Sequence, residues 1–289
     1  MIRRDRLAFL AGLEFAQWQP VDVVKTLHEL GYGGVEWTMA HFNPRTKSKR
    51  ELEKLVRIPH DFGMEVSEVV LQQDFVVRDE KEYWDRIERV KDGIEVAGDI
   101  GINIANLFTG PAPWDPLAPE IPKDISEGVA WDMVTNAFQE LLPVAEKHGV
   151  YLAVEAVFEH LCHDYYTTAE LFRRLNSEYL AINMDPSHYQ LYGNDICWVT
   201  RQRGDRIKHV HLKDVIGVPG EMGKAFLFPL LGEGSIDWHP FLQALSDVGY
   251  DGFLSIEFES FGYYEKVMRR DAVEAARMSL CHIEKILEL

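Results

Sequence analysis

Four short stretches, "LAVEA" (152–156), "NMDPSH" (183–188), "HVHLKD" (209–214) and "FLSIEFE" (253–259), place an ionisable side chain where an apolar run ends: Glu155, Asp185, His211 and Glu257. Brought together, three carboxylates and an imidazole could move protons on a bound molecule or hold a cation. Carboxylates about 4 Å apart at an effective dielectric near 20 repel by roughly 4 kcal/mol per pair, so a positive charge must compensate them. Proton sharing relieves one pair, whereas a divalent cation relieves all three and uses the histidine nitrogen as well. Three oxygen donors and one nitrogen suit Mn²⁺ foremost, with Mg²⁺, Co²⁺ and Zn²⁺ as alternatives, and the lack of a cysteine donor argues against a purely structural zinc. Taken singly, a strand-end acid more often caps a helix or pairs with a base, and His211 could be a hydrogen-bonded core histidine. Recurrence at the ends of four successive strands favours the metal.

The elements that carry these residues follow one repeated theme. A helical segment ends at a glycine or acidic turn and leads into a short apolar strand: "LHELGYGGVEWTM", "PHDFGMEVSEVVL", "EVAGDIGINIANLF", "AEKHGVYLAVEAV", "LNSEYLAINMD", "RGDRIKHVHLKD" and "LSDVGYDGFLSIEFE". With "RLAFLAGLEF" at the front this makes eight strands, and helix-period stretches lie at 21–30, 49–62, 81–97, 131–148, 168–175, 239–248 and 264–287. Strand and helix alternating in this way predict an α/β protein, a single (β/α)₈ TIM barrel spanning 1–289 with long loops after strands 4 and 7, at 109–127 and 216–237. The first strand is followed by "LEFAQWQP", without the phosphate-cradling glycines of an open dinucleotide-binding sheet. Strands two and three also end in acids, Glu36 and Glu68, so a closed sheet gathers six ionisable groups at one face.

Composition narrows the partners. The 289 residues are 46% hydrophobic, and 30 basic against 47 acidic side chains leave a formal charge of -17. That field repels a phosphodiester backbone, and the basic run "NPRTKSKRELEK" (43–54) reads as the solvated start of a helix, so no nucleic acid is expected as a partner. No apolar run reaches the length of a membrane span, and "MIRRDRLAFLAGLEF" is broken by Glu14 without a cleavage site, so neither membrane nor export is expected. Cys162, Cys197 and Cys281 stand far apart in no metal-type spacing, which suits reduced thiols in the cytoplasm.

As a set, Glu155 in "LAVEA", the Asp-x-x-His of "DPSH", the His-x-Lys-Asp of "HVHLKD", "LGEGSIDW", "GYDGFLSIE" and the upstream "GYGGVEW" resemble the sugar phosphate isomerase/epimerase superfamily. This xylose isomerase-like barrel group includes ketose 3-epimerases, hydroxypyruvate isomerases, inosose dehydratases and apurinic endonucleases. The resemblance is strongest over 140–260. It implies one divalent metal ion on Glu155, Asp185, His211 and Glu257, and a substrate-hydroxyl contact from His188. It also implies that Glu155 and Glu257 are at once ligands and acid/base groups. Lys213 shares the parity of His211 and points to the mouth, as a substrate contact or as an ion-pair partner of a neighbouring acid. Asp214, of opposite parity, is structural. Glu259 has the parity of Glu257, but the first acid of "SIE" matches the superfamily.

The function this implies is a divalent-metal-dependent isomerase or epimerase acting on a small sugar or related hydroxy-carbonyl compound by proton transfer through a metal-stabilised enediolate. Leu161 stands where the epimerase branch has a second glutamate, leaving Glu159, His160 or His163 to fill that role, and Lys213 and Lys224 stand in place of its arginine. A keto-inositol dehydratase is therefore the main alternative, and a non-catalytic sugar-binding barrel a remoter one. A three-metal endonuclease needs further histidines from strands two to four, where only His41 is near. Trp18, Trp37, Phe108 and Trp114 follow strands one, two and four; stacking on a sugar is one use for them, but plain packing under the long loops is the expected role of any one, with Trp114 the best candidate for a lid contact. Homo-oligomerisation through the outer helices is left open.

Overall fold

Each strand is a run of four to six residues or fewer whose side chains are almost all buried, the pattern of a parallel sheet covered on both faces. In the computed structural model, which describes residues 3–71, 73–115 and 118–288, these strands are β1 (Leu7–Leu10), β2 (Gly34–Thr38), β3 (Glu65–Val70), β4 (Ile104–Leu107), β5 (Tyr151–Glu155), β6 (Leu180–Met184), β7 (Ile207–Leu212) and β10 (Leu254–Ile256). They close in the order β1-β10-β7-β6-β5-β4-β3-β2, every pair parallel. The sheet is the expected TIM barrel, and parallel closure turns the carboxyl ends of all eight strands to one mouth.

The outer layer comprises α1 (Pro20–Leu30), α2 (Lys49–Asp61), α3 (Glu80–Asp99), α4 (Glu127–His148), α5 (Tyr165–Arg174), α6 (Pro186–Leu191), α7 (Ile196–Arg203), α8 (Trp238–Asp247), α9 (Phe261–Lys266) and α10 (Ala272–Leu287). Local chemistry starts them. Ser48 and Glu51 form a reciprocal capping box at α2, and the side chains of Asp79, Ser126, Asp164, Asp195 and Asp271 accept first-turn N–H groups of their helices. One apolar face of each longer helix then packs on the barrel, as Val134, Ala137, Phe138 and Leu141 do from α4.

Two expectations about helices need correction. The stretch 264–287 is not one helix, because Arg269 and Arg270 adopt positive φ (54° and 64°) between α9 and α10, and Asp271 starts the second helix by accepting from Val273 and Glu274. Conversely, α6 and α7 are too short to announce themselves by periodicity, and each is nucleated by an aspartate cap, Asp185 on Ser187 N–H and Asp195 on Trp198 N–H. Among the described residues, no helix is long and apolar enough to cross a membrane.

The two long loops lie over the mouth and are tied down. Arg86 on α3 reaches Asp74 (2.9 Å) and Asp115 (2.8 Å), pinning the loop after β4. At its start Gly110 has φ 79°, and a Cβ there would meet Asp74 at 2.6 Å, so this position needs glycine. The loop after β7 contains the small hairpin β8 (Ile216–Gly217) and β9 (Phe226–Leu227). Its return is organised by Asp214, which as expected has a structural part. The carboxylate accepts from the N–H groups of Val215, Gly232, Gly234 and Ile236 and from the Trp238 indole, five donors at 2.9–3.2 Å. A Cβ at Gly234 would lie 2.0 Å from Asp214 Oδ1, so the chain passes too close for any other residue. Each donor left unmet in a buried site costs about 1–3 kcal/mol. Asp214→Ala is therefore expected to destabilise the protein by at least about 3 kcal/mol, read as a lower urea midpoint.

Candidate metal centre

Inside the barrel, period-two alternation turns Glu36, Glu68, Asn106, Glu155, Asn183, His209 and His211 inward, all at most 1% exposed. At the mouth, Glu155, Asp185, His211 and Glu257 each offer a ligand atom, and these atoms all lie within 4.8 Å of one another. The four sequence candidates thus converge. Glu155 ends β5, and its Oε2 accepts from Asn106 (3.0 Å) and Asn183 (3.3 Å), which leaves Oε1 facing His211 Nδ1 at 3.5 Å. Asp185 caps α6 through Oδ1, which accepts from the Ser187 N–H and hydroxyl, and turns Oδ2 to the cavity. Glu257, just past β10, sets Oε2 3.3 Å from His211 Nδ1.

Lys213 is the positive charge already present. Its buried ammonium reaches Asp185 (2.9 Å), Glu257 (2.5 Å) and Glu259 (3.1 Å), the ion-pair reading, while it also lines the cavity where a substrate would sit. Burial opposes ionisation of Glu257, but Lys213 and His211 together outweigh it and hold the carboxyl down at about 2. For Glu155 burial is likewise overcome, here by His211, His188 and Lys213, and its carboxyl falls well below the ordinary range. Burial and the adjacent Glu257 keep Glu259 above its usual value despite Lys213. Both strong acids are therefore carboxylates at neutral pH, the form needed to bind a cation or accept a proton.

The donor set fits a hard or borderline divalent cation. Four carboxyl groups, Glu155, Asp185, Glu257 and Glu259, stand around one ammonium, and the His211 imidazole would add a nitrogen donor once its Nδ1 carries no proton. His211 is oriented for that role by Glu36, whose Oε1 lies 2.9 Å from Nε2, so that Nδ1 faces the other three groups. Below this layer, Glu36, Glu68, His209 and His211 also bring their polar atoms within 4.8 Å. Here two carboxylates face two imidazoles. His209 Nδ1 stands 3.0 Å from Glu68 and 3.1 Å from Asn183 Oδ1. Burial raises the Glu36 carboxyl above its ordinary value, whereas at Glu68 His209 and His211 together override burial and lower it.

His188 on α6 places Nε2 3.5 Å from Asp185 and 3.6 Å from Glu155, beside the donor set as expected. Above it lies a cavity of about 410 Å³ walled by Phe108, Trp114, Val157 and Phe158 and floored by the acids, His188 and Lys213. Trp114 is 57% exposed and packs on Phe108, Phe158 and His160, a position suited to a lid. Trp37 takes the packing role and not the stacking one: it is fully buried with its indole donating to the Leu55 carbonyl, so it belongs to the core. Glu159 is not brought to the cavity. It is exposed at φ 63°, its N–H donating to the Tyr192 hydroxyl, and the further carboxylate lining the cavity is Glu259. Buried His160 accepts from the Gly110 N–H, and burial, with His188 adding to it, lowers its ring to about 3.

Of the inner group, Glu36 and Glu68 were legible as strand-end acids, whereas His209 escaped the sequence reading as part of the site. Its signal was present in parity: His209 and His211 are two residues apart on one strand and must share a face.

A closed parallel barrel with a three-carboxylate, one-imidazole set at the carboxyl ends of its strands is the architecture of a small-molecule site at a barrel mouth. The chain belongs to the xylose isomerase-like TIM barrel family, which it matches over residues 24–282. Among its relatives, an inosose dehydratase of Geobacillus thermodenitrificans (strain NG80-2) is 29% identical over 143 residues, 45% of this chain and 47% of that protein. The chain thus spans about half the length of that relative. An inosose isomerase of Bacillus subtilis (strain 168) is 26% identical over 204 residues, covering 69% of each. Among solved structures, the IOLI protein with a bound zinc atom aligns over 98% of both chains at 19% identity and TM-score 0.74. D-psicose 3-epimerase from Clostridium cellulolyticum H10 with D-tagatose aligns over 98% of both at 16% identity and TM-score 0.72. At these identities the structures share the fold.

Proposed function

We propose that the protein is a divalent-metal-dependent isomerase or epimerase of a small sugar or related hydroxy-carbonyl compound, with Mn²⁺ as its first-choice ion. The observation that carries this reading is the convergence of Glu155, Asp185, His211 and Glu257 within 4.8 Å at the mouth. A bound cation would polarise a carbonyl and its neighbouring hydroxyl and so acidify the C–H of the hydroxyl-bearing carbon beside the carbonyl. The protein's own groups do the rest. Glu155 and Glu257 are ionised carboxylates able to take a proton from carbon and return one, to the neighbouring carbon for isomerisation or to the opposite face for epimerisation. His188 and Lys213 hold substrate oxygens, and Trp114, Phe108 and Phe158 cover the apolar face of the sugar and exclude water.

The dehydratase reading starts from the same proton removal and ends in loss of a hydroxyl instead of reprotonation; the inosose dehydratase relatives favour it. One experiment separates the readings. The Mn²⁺-loaded protein is incubated in D₂O with ketoses, aldoses, hydroxypyruvate and keto-inositols. Deuterium on a sugar carbon identifies the isomerase or epimerase, water loss identifies the dehydratase, and tight binding without turnover identifies a sugar-binding barrel. The metal has its own readout. Saturation to 100 times the dissociation constant is expected to add about 2.7 kcal/mol of stability, seen as a rise in melting temperature with Mn²⁺ that EDTA reverses.

A further inference from the structure

The reaction cavity adjoins a second cleft. Met222 and Glu259 line both, and the second space, about 550 Å³, runs between the hairpin of the β7 loop and α9. Its walls are apolar and in water: Met222 is 42% exposed, Leu227 47%, Phe261 41%, Tyr263 38% and Val267 67%. Single exposed apolar side chains are ordinary, but five around one cleft mark a binding surface. The wall is also held in place, since the Tyr263 hydroxyl donates to Glu233 at 3.0 Å.

Phe228 joins the two spaces. It lines the second cleft, and its ring lies 5.7 Å from the His188 ring and 4.8 Å from Lys213 Nζ. A molecule whose oxygens are held at the donor set can therefore extend past Phe228 and Met222 without leaving the protein surface. The hydroxyls of an unsubstituted sugar gain nothing from such walls, whereas an apolar group loses unfavourable contact with water there. A second copy of the chain seated on the same walls would close the way into the reaction cavity, because the two spaces share residues.

We propose that the ligand is a conjugate, a sugar or related polyol ring carrying an aryl or alkyl substituent, with the ring at the donor set and the substituent in the cleft of Leu227, Phe261 and Val267. This rests on the sugar-handling reading of the site. The test is calorimetric titration of the Mn²⁺-loaded protein with matched methyl and phenyl 3-keto-glycosides of the gluco, galacto, xylo and arabino series, which keep a carbonyl beside a hydroxyl, repeated on Phe261→Ser and Val267→Ser. At least one phenyl glycoside is expected to bind about tenfold or more tightly than its methyl partner, and both substitutions to remove most of that preference. Equal affinity within every pair, or no binding by any, overturns the assignment. So does a solution dimer that Val267→Glu splits, which would make the cleft an interface between copies. Deuterium entering unsubstituted sugars with no phenyl preference would sink this proposal and leave the proton-transfer reading standing.

Discussion

Glu257→Gln and Glu155→Gln are each expected to cut solvent-deuterium incorporation into the substrate by about 10²–10⁴-fold, the usual contribution of a positioned acid/base group. Glutamine keeps the volume and one oxygen donor but cannot accept a proton from carbon, so the loss falls on turnover more than on folding. At position 257 the change also leaves Lys213 short of a partner it holds at 2.5 Å. Glu259→Gln is the informative comparison. Glu259 touches Lys213 at 3.1 Å but is not among the four convergent donors, so its Mn²⁺ affinity should change far less than that of Glu257→Gln. If instead Glu259→Gln abolishes metal binding and Glu257→Gln does not, the ligand assignment moves two residues along the chain. Mass spectrometry of the product and electron paramagnetic resonance of bound Mn²⁺ read the two effects separately.

Replacing Glu36 by glutamine is expected to weaken Mn²⁺ binding by about 10–100-fold although Glu36 is not a ligand. Its Oε1 sits 2.9 Å from His211 Nε2, fully buried, and a carboxylate there fixes the proton on Nε2 and makes Nδ1 the better donor. A neutral amide can keep the contact but not the charge, and it also disturbs the balance with Glu68 and His209 beneath. Unchanged affinity, with melting temperature unchanged as well, would mean that the ring is held by its other neighbours.

Much of this architecture was legible because it is local. An apolar run of four to six residues between a glycine turn and a helical stretch reads as a strand by its length and flanks, and aspartate, serine or proline at a helix start acts within its own turn. The strand count, the order of elements and the two long loops follow from such signals. What failed also failed for local reasons. The stretch 264–287 keeps its apolar period through a break created by two positive-φ arginines, and α6 and α7 are shorter than the period needed to detect them. Glu159 and Trp37 looked equivalent to their neighbours by position, and only packing decided that one faces solvent and the other Leu55.

The sequence by itself determined that three carboxylates and a histidine stand at the ends of successive strands, since alternation and strand length are properties of the chain alone. It also determined, through parity, that His211 and Lys213 point one way and Asp214 the other. Tertiary structure alone decided that Lys213 bridges Asp185, Glu257 and Glu259, that Glu36 from the far side of the barrel orients His211, and that an apolar cleft adjoins the reaction cavity. Those contacts join residues up to 175 positions apart, and which of them meet depends on sheet closure, stagger and loop path, quantities that no local window of sequence contains.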